Sequence, residues 1–158
     1  MNYRRQLFQI ERWSPQLARK IWGMAKFLES PFSLALGLKI SHFTDTEVEV
    51  QVPPSVALAG AEFASRILWQ RHLKSGVTSL FLNSIKAEFL KEPLTTLVAR
   101  AELTEDEREN ILRKLNNGQT VIHEMPVTLI DNKRQNLGLV NCTWRFKLLK
   151  PLSIQGGV

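Results

Sequence analysis

At 158 residues, 44% hydrophobic and 23% charged, the chain has the size and balance of one globular domain with a core of its own, and no second domain is expected. Its longest uncharged apolar runs fall short of the roughly 18 to 20 residues that cross a bilayer, and no apolar run followed by a small-residue cleavage site stands at the N-terminus, so a soluble cytoplasmic protein is expected. Most of the net charge of +6 belongs to the leading segment, where Arg4, Arg5, Arg12, Arg19, Lys20 and Lys26 are opposed only by Glu11.

Ser14-Pro15 has the chemistry of a helix start, and Leu17, Ala18, Ile21, Trp22, Ala25 and Leu28 recur at helical spacing until Ser30-Pro31 stops the run. An amphipathic helix laid against the domain is expected there. Its basic residues suit a membrane surface, nucleic acid or an acidic partner, or they simply form a solvated face. A helix-turn-helix needs two helices and a supporting core, for which one clear helix is too little, so nucleic acid is not an expected partner.

From Leu36 the period changes. Leu36 to His42 reads as a strand, Thr44-Asp45-Thr46 as a turn, and Glu47-Val48-Glu49-Val50-Gln51-Val52 alternates strictly, with valines toward a core and polar residues toward water. Pro53-Pro54 ends the strand. Ser55 to Gly76 then reads as one long helix, capped by Ser55 and made broadly apolar by Ala57, Leu58, Ala61, Ala64, Leu68 and Trp69, with small residues that let strands approach closely. It carries a lone carboxylate, Glu62.

Four further strands are expected: Leu80 to Leu90, with Ile85, Ala87 and Phe89 on one face; Thr95 to Leu103; Gln119 to Ile130; and Leu137 to Leu149. Between the middle two, Thr104 to Asn117 reads as a short helix with a capping box from Thr104 to Glu107 and Gly118 as its stop. Asp131-Asn132-Lys133 is a hairpin turn. Hairpin-length links point to an antiparallel sheet and away from βαβ crossovers, and a sheet wrapped around one helix would set a buried polar group on that helix beside a ligand cleft.

Ala59-Gly60-Ala61-Glu62-Phe63-Ala64 on the long helix, the strand end Glu88-Phe89-Leu90-Lys91-Glu92-Pro93, the alternating early strands and the Val127 to Asp131 strand and turn together resemble the hotdog-fold thioesterase superfamily, in particular single-domain members with a leading helix. The resemblance covers about residues 33–150. It implies an α+β hotdog fold, with an antiparallel sheet of five to six strands wrapped around the long helix. Residues 1–32 would be a helical segment packed on the domain, and 151–158 a tail. It also implies a homodimer or tetramer whose subunits pair edge to edge, with acyl-CoA or a related thioester in the clefts between them.

Carried over by position, Glu62 matches the acid that many members use for thioester hydrolysis, and the helix start at Ser55-Val56-Ala57 matches the backbone donor site for the oxyanion. Many active members have His-Gly-Gly at that start, where this chain has Pro53-Pro54-Ser55. Proline offers no N–H, and one lost oxyanion donor costs about 2.7 to 4 kcal/mol of transition-state stabilisation. A non-catalytic acyl-binding or scaffold protein therefore stands beside the hydrolase reading.

The residues themselves leave Glu62 with three roles: a base, an ion pair with Arg66 four residues on, or a partner in another buried hydrogen bond. Asn83 and Ser84 interrupt their strand's apolar pattern and either position water or the thioester carbonyl, or mark a bulge. Lys86, Lys91 and Arg100 are candidate contacts for CoA phosphates, against the plainer reading of solvated cations.

His42, His72 and His123 share no ligand spacing with acids or with Cys142, so no metal is expected. No cofactor beyond the substrate's own coenzyme A is expected either. The chain has no glycine-rich phosphate loop and no serine in a nucleophile-elbow motif. Cys142, beside Trp144 in a strand pattern, reads as a small buried hydrophobe, and the four tryptophans read as core or subunit contacts.

Overall fold

A computed structural model describes residues 35–73 and 77–149. The expected leading helix and the C-terminal tail lie outside the described residues.

Alternation builds the early hairpin. β1 (Lys39–Phe43) pairs antiparallel with β2 (Glu47–Val52), and Val48, Val50 and Val52 of β2 are fully buried. Between the strands, Thr44 Oγ1 accepts the Glu47 N–H at 2.9 Å and closes the expected turn. β1 starts later than the expected Leu36, because Gly37 holds φ at +69° and turns the chain ahead of it.

After Pro53, residues Pro54–Val56 form a 3-10 turn that leads into helix α1 (Ala57–His72). The expected cap by Ser55 is not made: the N-cap position is Val56, and no side chain caps the helix. Among the described residues β3 (Thr78–Phe89), β4 (Leu97–Glu102), helix α2 (Glu105–Asn116), β5 (Val121–Ile130) and β6 (Asn136–Leu148) complete the order. α2 has the expected capping box: Thr104 accepts from the Glu107 N–H, and the Glu107 carboxylate accepts from the Thr104 N–H at 3.1 Å. Gly118, at φ +76°, stops it by donating to the Leu115 carbonyl.

The strands form one six-stranded sheet in the order β1-β2-β4-β5-β6-β3, antiparallel at every pairing. α1 packs against β2, β3, β4, β5 and β6, so the sheet curls around it. Small residues permit the close fit. A Cβ on Gly60 would stand 2.4 Å from Val52 Cγ2, which makes this glycine a packing requirement for helix against strand. The core under the helix joins the β2 valines to Leu97, Ala99 and Ala101 of β4 and to Met125, Val127, Val140, Trp144 and Phe146 of β5 and β6.

Three features depart from simple alternation. Leu82 pairs with Trp144 and Ser84 with Thr143, which leaves Asn83 as the extra residue of a β-bulge. The bulge shifts the parity of β3, so that Leu80 and Leu82 before it and Ile85 after it all pack against the core. Second, the outer-facing Glu49 is buried rather than solvated, because Arg134 from the β5–β6 turn folds over it and pairs with its carboxylate. Third, that turn is longer than expected: Asp131 Oδ1 accepts from the N–H groups of Lys133 and Gln135, each at 2.8 Å, and Arg134 takes φ +62°.

Candidate functional site

Glu62 lies on the second turn of α1, its side chain 22% exposed. Arg66 Nε stands 3.2 Å from its carboxylate, so the ion pair expected from the i, i+4 spacing is formed, and the Arg66 guanidinium lies 6.0 Å from the Phe63 ring centroid. Burial raises the Glu62 carboxyl above the usual glutamate value, and the Arg66 charge holds part of that rise back. The carboxylate is thus half-withdrawn from water, with one cation beside it among the described residues.

Beneath Glu62 the core holds polar atoms that sequence reasoning missed. Ser65 Oγ donates to the Glu62 carbonyl at 2.9 Å, and the Trp144 indole N–H donates to Ser65 Oγ at 3.1 Å. Ser65 is fully buried among Ala61, Ala64, Ile67 and Leu68. A lone hydroxyl on that apolar surface was the available signal. Cys142, two residues before Trp144 on β6, is fully buried as expected; burial pushes its thiol up to about 11, the Ser65 hydroxyl beside it holds part of that rise back, and the Glu62 charge adds to it. It is a neutral thiol at neutral pH, not a nucleophile.

The expected oxyanion donors are placed differently. The Val56 N–H donates to the Pro53 carbonyl at 3.1 Å, and the Ala57 N–H to the Pro54 carbonyl. Both bonds lie inside the 3-10 turn that the proline pair sets up. Ser55 is exposed at the same turn.

Asn83 occupies the bulge and is exposed, with Ser84 half-buried beside it on the edge strand. The CoA-contact candidates are not brought together. Arg100 alternates with the buried Ala99 and Ala101 and so points away from α1, where its Nε stands 2.9 Å from Glu102, 3.0 Å from Glu47 and 3.9 Å from Glu49. Those carboxylates, Glu47 foremost, raise its proton affinity and draw Arg100 into an ion-pair cluster on that face. Lys86 is exposed along β3, and Lys91 lies just past its end with Nζ 3.5 Å from Gln135 Oε1.

One concavity, away from Glu62, was not foreseen. An open cleft of about 430 Å³ lies where β4 ends short of the first half of β5, lined by Thr46, Glu47, Glu102, Thr104, Glu107 and His123 among others. The Trp69 indole packs edge-on against the His123 ring at 5.5 Å, and burial lowers the His123 proton affinity against the pull of Glu107 and Glu124. At the end of α1, His72 Nε2 meets the Asp45 carbonyl at 2.6 Å and Arg71 pairs with the Asp45 carboxylate at 3.1 Å, fastening the helix to the β1–β2 turn. Among the described residues no cluster of His, Cys, Asp and Glu could hold a metal ion, and no helix is long and apolar enough to cross a membrane.

No family model matches the chain, and no curated protein matches it in sequence. Solved structures do match in fold. A Pseudomonas aeruginosa protein of unknown function, a probable thioesterase, aligns with a TM-score of 0.67 at 13% identity, over 86% of this chain and 97% of its own. A Haemophilus influenzae thioesterase aligns at 0.58 and 17% identity, over 77% of this chain and 85% of its own. The PaaI protein of the Escherichia coli phenylacetic acid degradation operon aligns at 0.54 and 12% identity, over 80% of this chain and 90% of its own. With one antiparallel sheet curled around α1 and these proteins as its structural neighbours, the chain has the hotdog fold that its sequence resemblance implied.

Proposed function

We propose that the protein is a cytoplasmic thioester hydrolase of acyl-CoA or a closely related acyl thioester, with Glu62 as the base. The reading rests above all on one observation: a half-buried carboxylate on α1 whose proton affinity burial has raised. Glu62 takes a proton from water as the water oxygen bonds to the thioester carbonyl carbon. It returns that proton to the departing sulfur as the C–S bond breaks, leaving a carboxylic acid and a free thiol. The positive end of the α1 dipole favours the negative charge that gathers on the carbonyl oxygen.

The substrate cleft is proposed to form between two copies joined along β3. That strand is twelve residues long, has no neighbour on its outer side among the described residues, and presents the exposed side chains of Phe81 and Phe89. An unpaired edge of this length is a template for a second copy. Lys86 and Lys91 are the candidates for the CoA phosphates.

A second reading has a specific observation behind it. With the Val56 and Ala57 N–H groups spent in the 3-10 turn, the protein would bind acyl thioesters without turning them over. A panel of short, aromatic and long acyl-CoAs, assayed with wild type and Glu62→Gln, separates the two. Hydrolysis by wild type and a loss of at least about 100-fold in the variant are expected, in line with the general range for acid–base groups. The acid limb of the wild-type pH–rate profile should lie above the ordinary glutamate value, because the base must be ionised and its proton affinity is raised. Binding without turnover by wild type would establish the second reading, and full activity in Glu62→Gln would remove Glu62 as the base.

A further inference from the structure

We propose that Ser65 and Trp144 are positioning residues for Glu62: their hydrogen-bond chain from β6 locks α1 against rotation and so aims the Glu62 carboxylate. This rests on the hydrolase reading for its consequence in rate, though not for its consequence on Glu62 itself.

Around Glu62 the buried face of α1 is made mostly of small side chains, Ala57, Gly60, Ala61 and Ala64, whereas the bulky Ile67, Leu68 and Trp69 anchor its second half. Side chains so small give few ridges to resist turning or sliding of the first turns. Apolar contact alone has no preferred direction. A hydrogen bond does, and one hydroxyl supplies two. Ser65 Oγ accepts from the Trp144 indole at 3.1 Å and donates to the Glu62 carbonyl at 2.9 Å, so that its own donor and one of its acceptor positions are used. Trp144 is itself held on β6 between its partners Leu82 on β3 and His123 on β5, which makes it a fixed post rather than a mobile one.

Glu62 is therefore held at both ends by consecutive residues. Ser65 fixes its main-chain carbonyl, and Arg66 pairs with its carboxylate at 3.2 Å. Among the described residues the titratable groups that face it are Arg66 on α1 and the Cys142 thiol on β6. Removing the chain frees the first turns of α1 to twist about the axis and lets the carboxylate swing toward water.

The test uses Ser65→Ala, Trp144→Phe and the double variant, with kcat and KM for acyl-CoA hydrolysis and a carbon-13 NMR titration of the Glu62 carboxyl. Each single variant should lower kcat by about 10- to 100-fold, the scale of a small misplacement at a reacting centre, with KM unchanged. The double variant should lose no more than the worse single one. The Glu62 titration should move down toward the ordinary glutamate value in all three. A lower melting temperature with kcat and the Glu62 titration both at wild-type values would show a merely structural bond and overturn the proposal. Should Ser65→Ala fail to fold, Trp144→Phe, which keeps a ring and deletes the donor, decides it. If wild type hydrolyses nothing, the hydrolase reading fails alone, and an unmoved Glu62 titration is then the result that overturns the positioning role.

Discussion

Glu62 and Gly60 sit two residues apart on α1 and show how one turn of helix meets two demands. Glu62 must reach a half-wet face, while Gly60 must let the Val52 side chain pass within 2.4 Å of where a Cβ would be. Exchanging Gly60 for alanine gains about 1 kcal/mol of helix propensity, but it forces α1 away from β2, an overpacking that costs about 1 to 3 kcal/mol. Gly60→Ala should therefore lower the urea midpoint at an unchanged slope. A midpoint above wild type would show that the helix has room to move. At this scale the sequence was readable where spacing alone decides. The Glu62–Arg66 pair follows from i, i+4, and the burial of Cys142 from its strand pattern. Ser65 was not readable, since its partner lies on a strand 79 residues away.

Elements were legible where their own ends carry the signal. The Thr104–Glu107 capping box and the Gly118 stop fall where they were expected, because both are local chemistry. Thr104→Ala should cost about 1 kcal/mol, read as a lower melting temperature. The Thr104 hydrogen bonds, the side-chain one foremost, hold the Glu107 carboxyl below the usual glutamate value. A lowered carboxyl stabilises the fold above its ordinary value of 4.5 and loses that contribution as the pH falls through the folded value, so the Thr104→Ala deficit should shrink in acid. The start of α1 was misread for the opposite reason. Ser55 has cap chemistry, but Pro53-Pro54 draws it into a 3-10 turn whose carbonyls capture the Val56 and Ala57 N–H groups. The Asn83 bulge was one of the two readings that the broken apolar pattern of its strand offered, whereas the cover of Arg134 over Glu49 depends on strands that local pattern cannot place.

Among the described residues one sheet curls over α1, and its order, β1-β2-β4-β5-β6-β3, is what sends β3 to the edge. No local signal encodes that order; the resemblance to hotdog proteins implied only an antiparallel sheet wrapped around the long helix, and the fold agrees with that much. Two histidines tie the ends of the structure together. His72 joins α1 to the β1–β2 turn, and His123 packs under Trp69, and burial lowers both proton affinities below the ordinary value of 6.5. Below that value the unfolded chain binds more protons at these sites than the native one, so stability is full above it and declines as the pH falls. The urea midpoint should therefore drop on acidification from about neutrality, and His72→Gln with His123→Gln should flatten the drop. A midpoint that rises on acidification would contradict the burial of neutral imidazoles.

The proposed reaction requires an acyl thioester beside Glu62, and its most direct measurement is a crystal structure with a non-hydrolysable acyl-CoA analogue. The analogue's carbonyl carbon should lie one water away from the Glu62 carboxylate, with that water within roughly 2.6 to 3.2 Å of a carboxylate oxygen, between two copies joined at β3. An analogue bound away from α1, or a lone copy with Glu62 untouched by ligand, would contradict it.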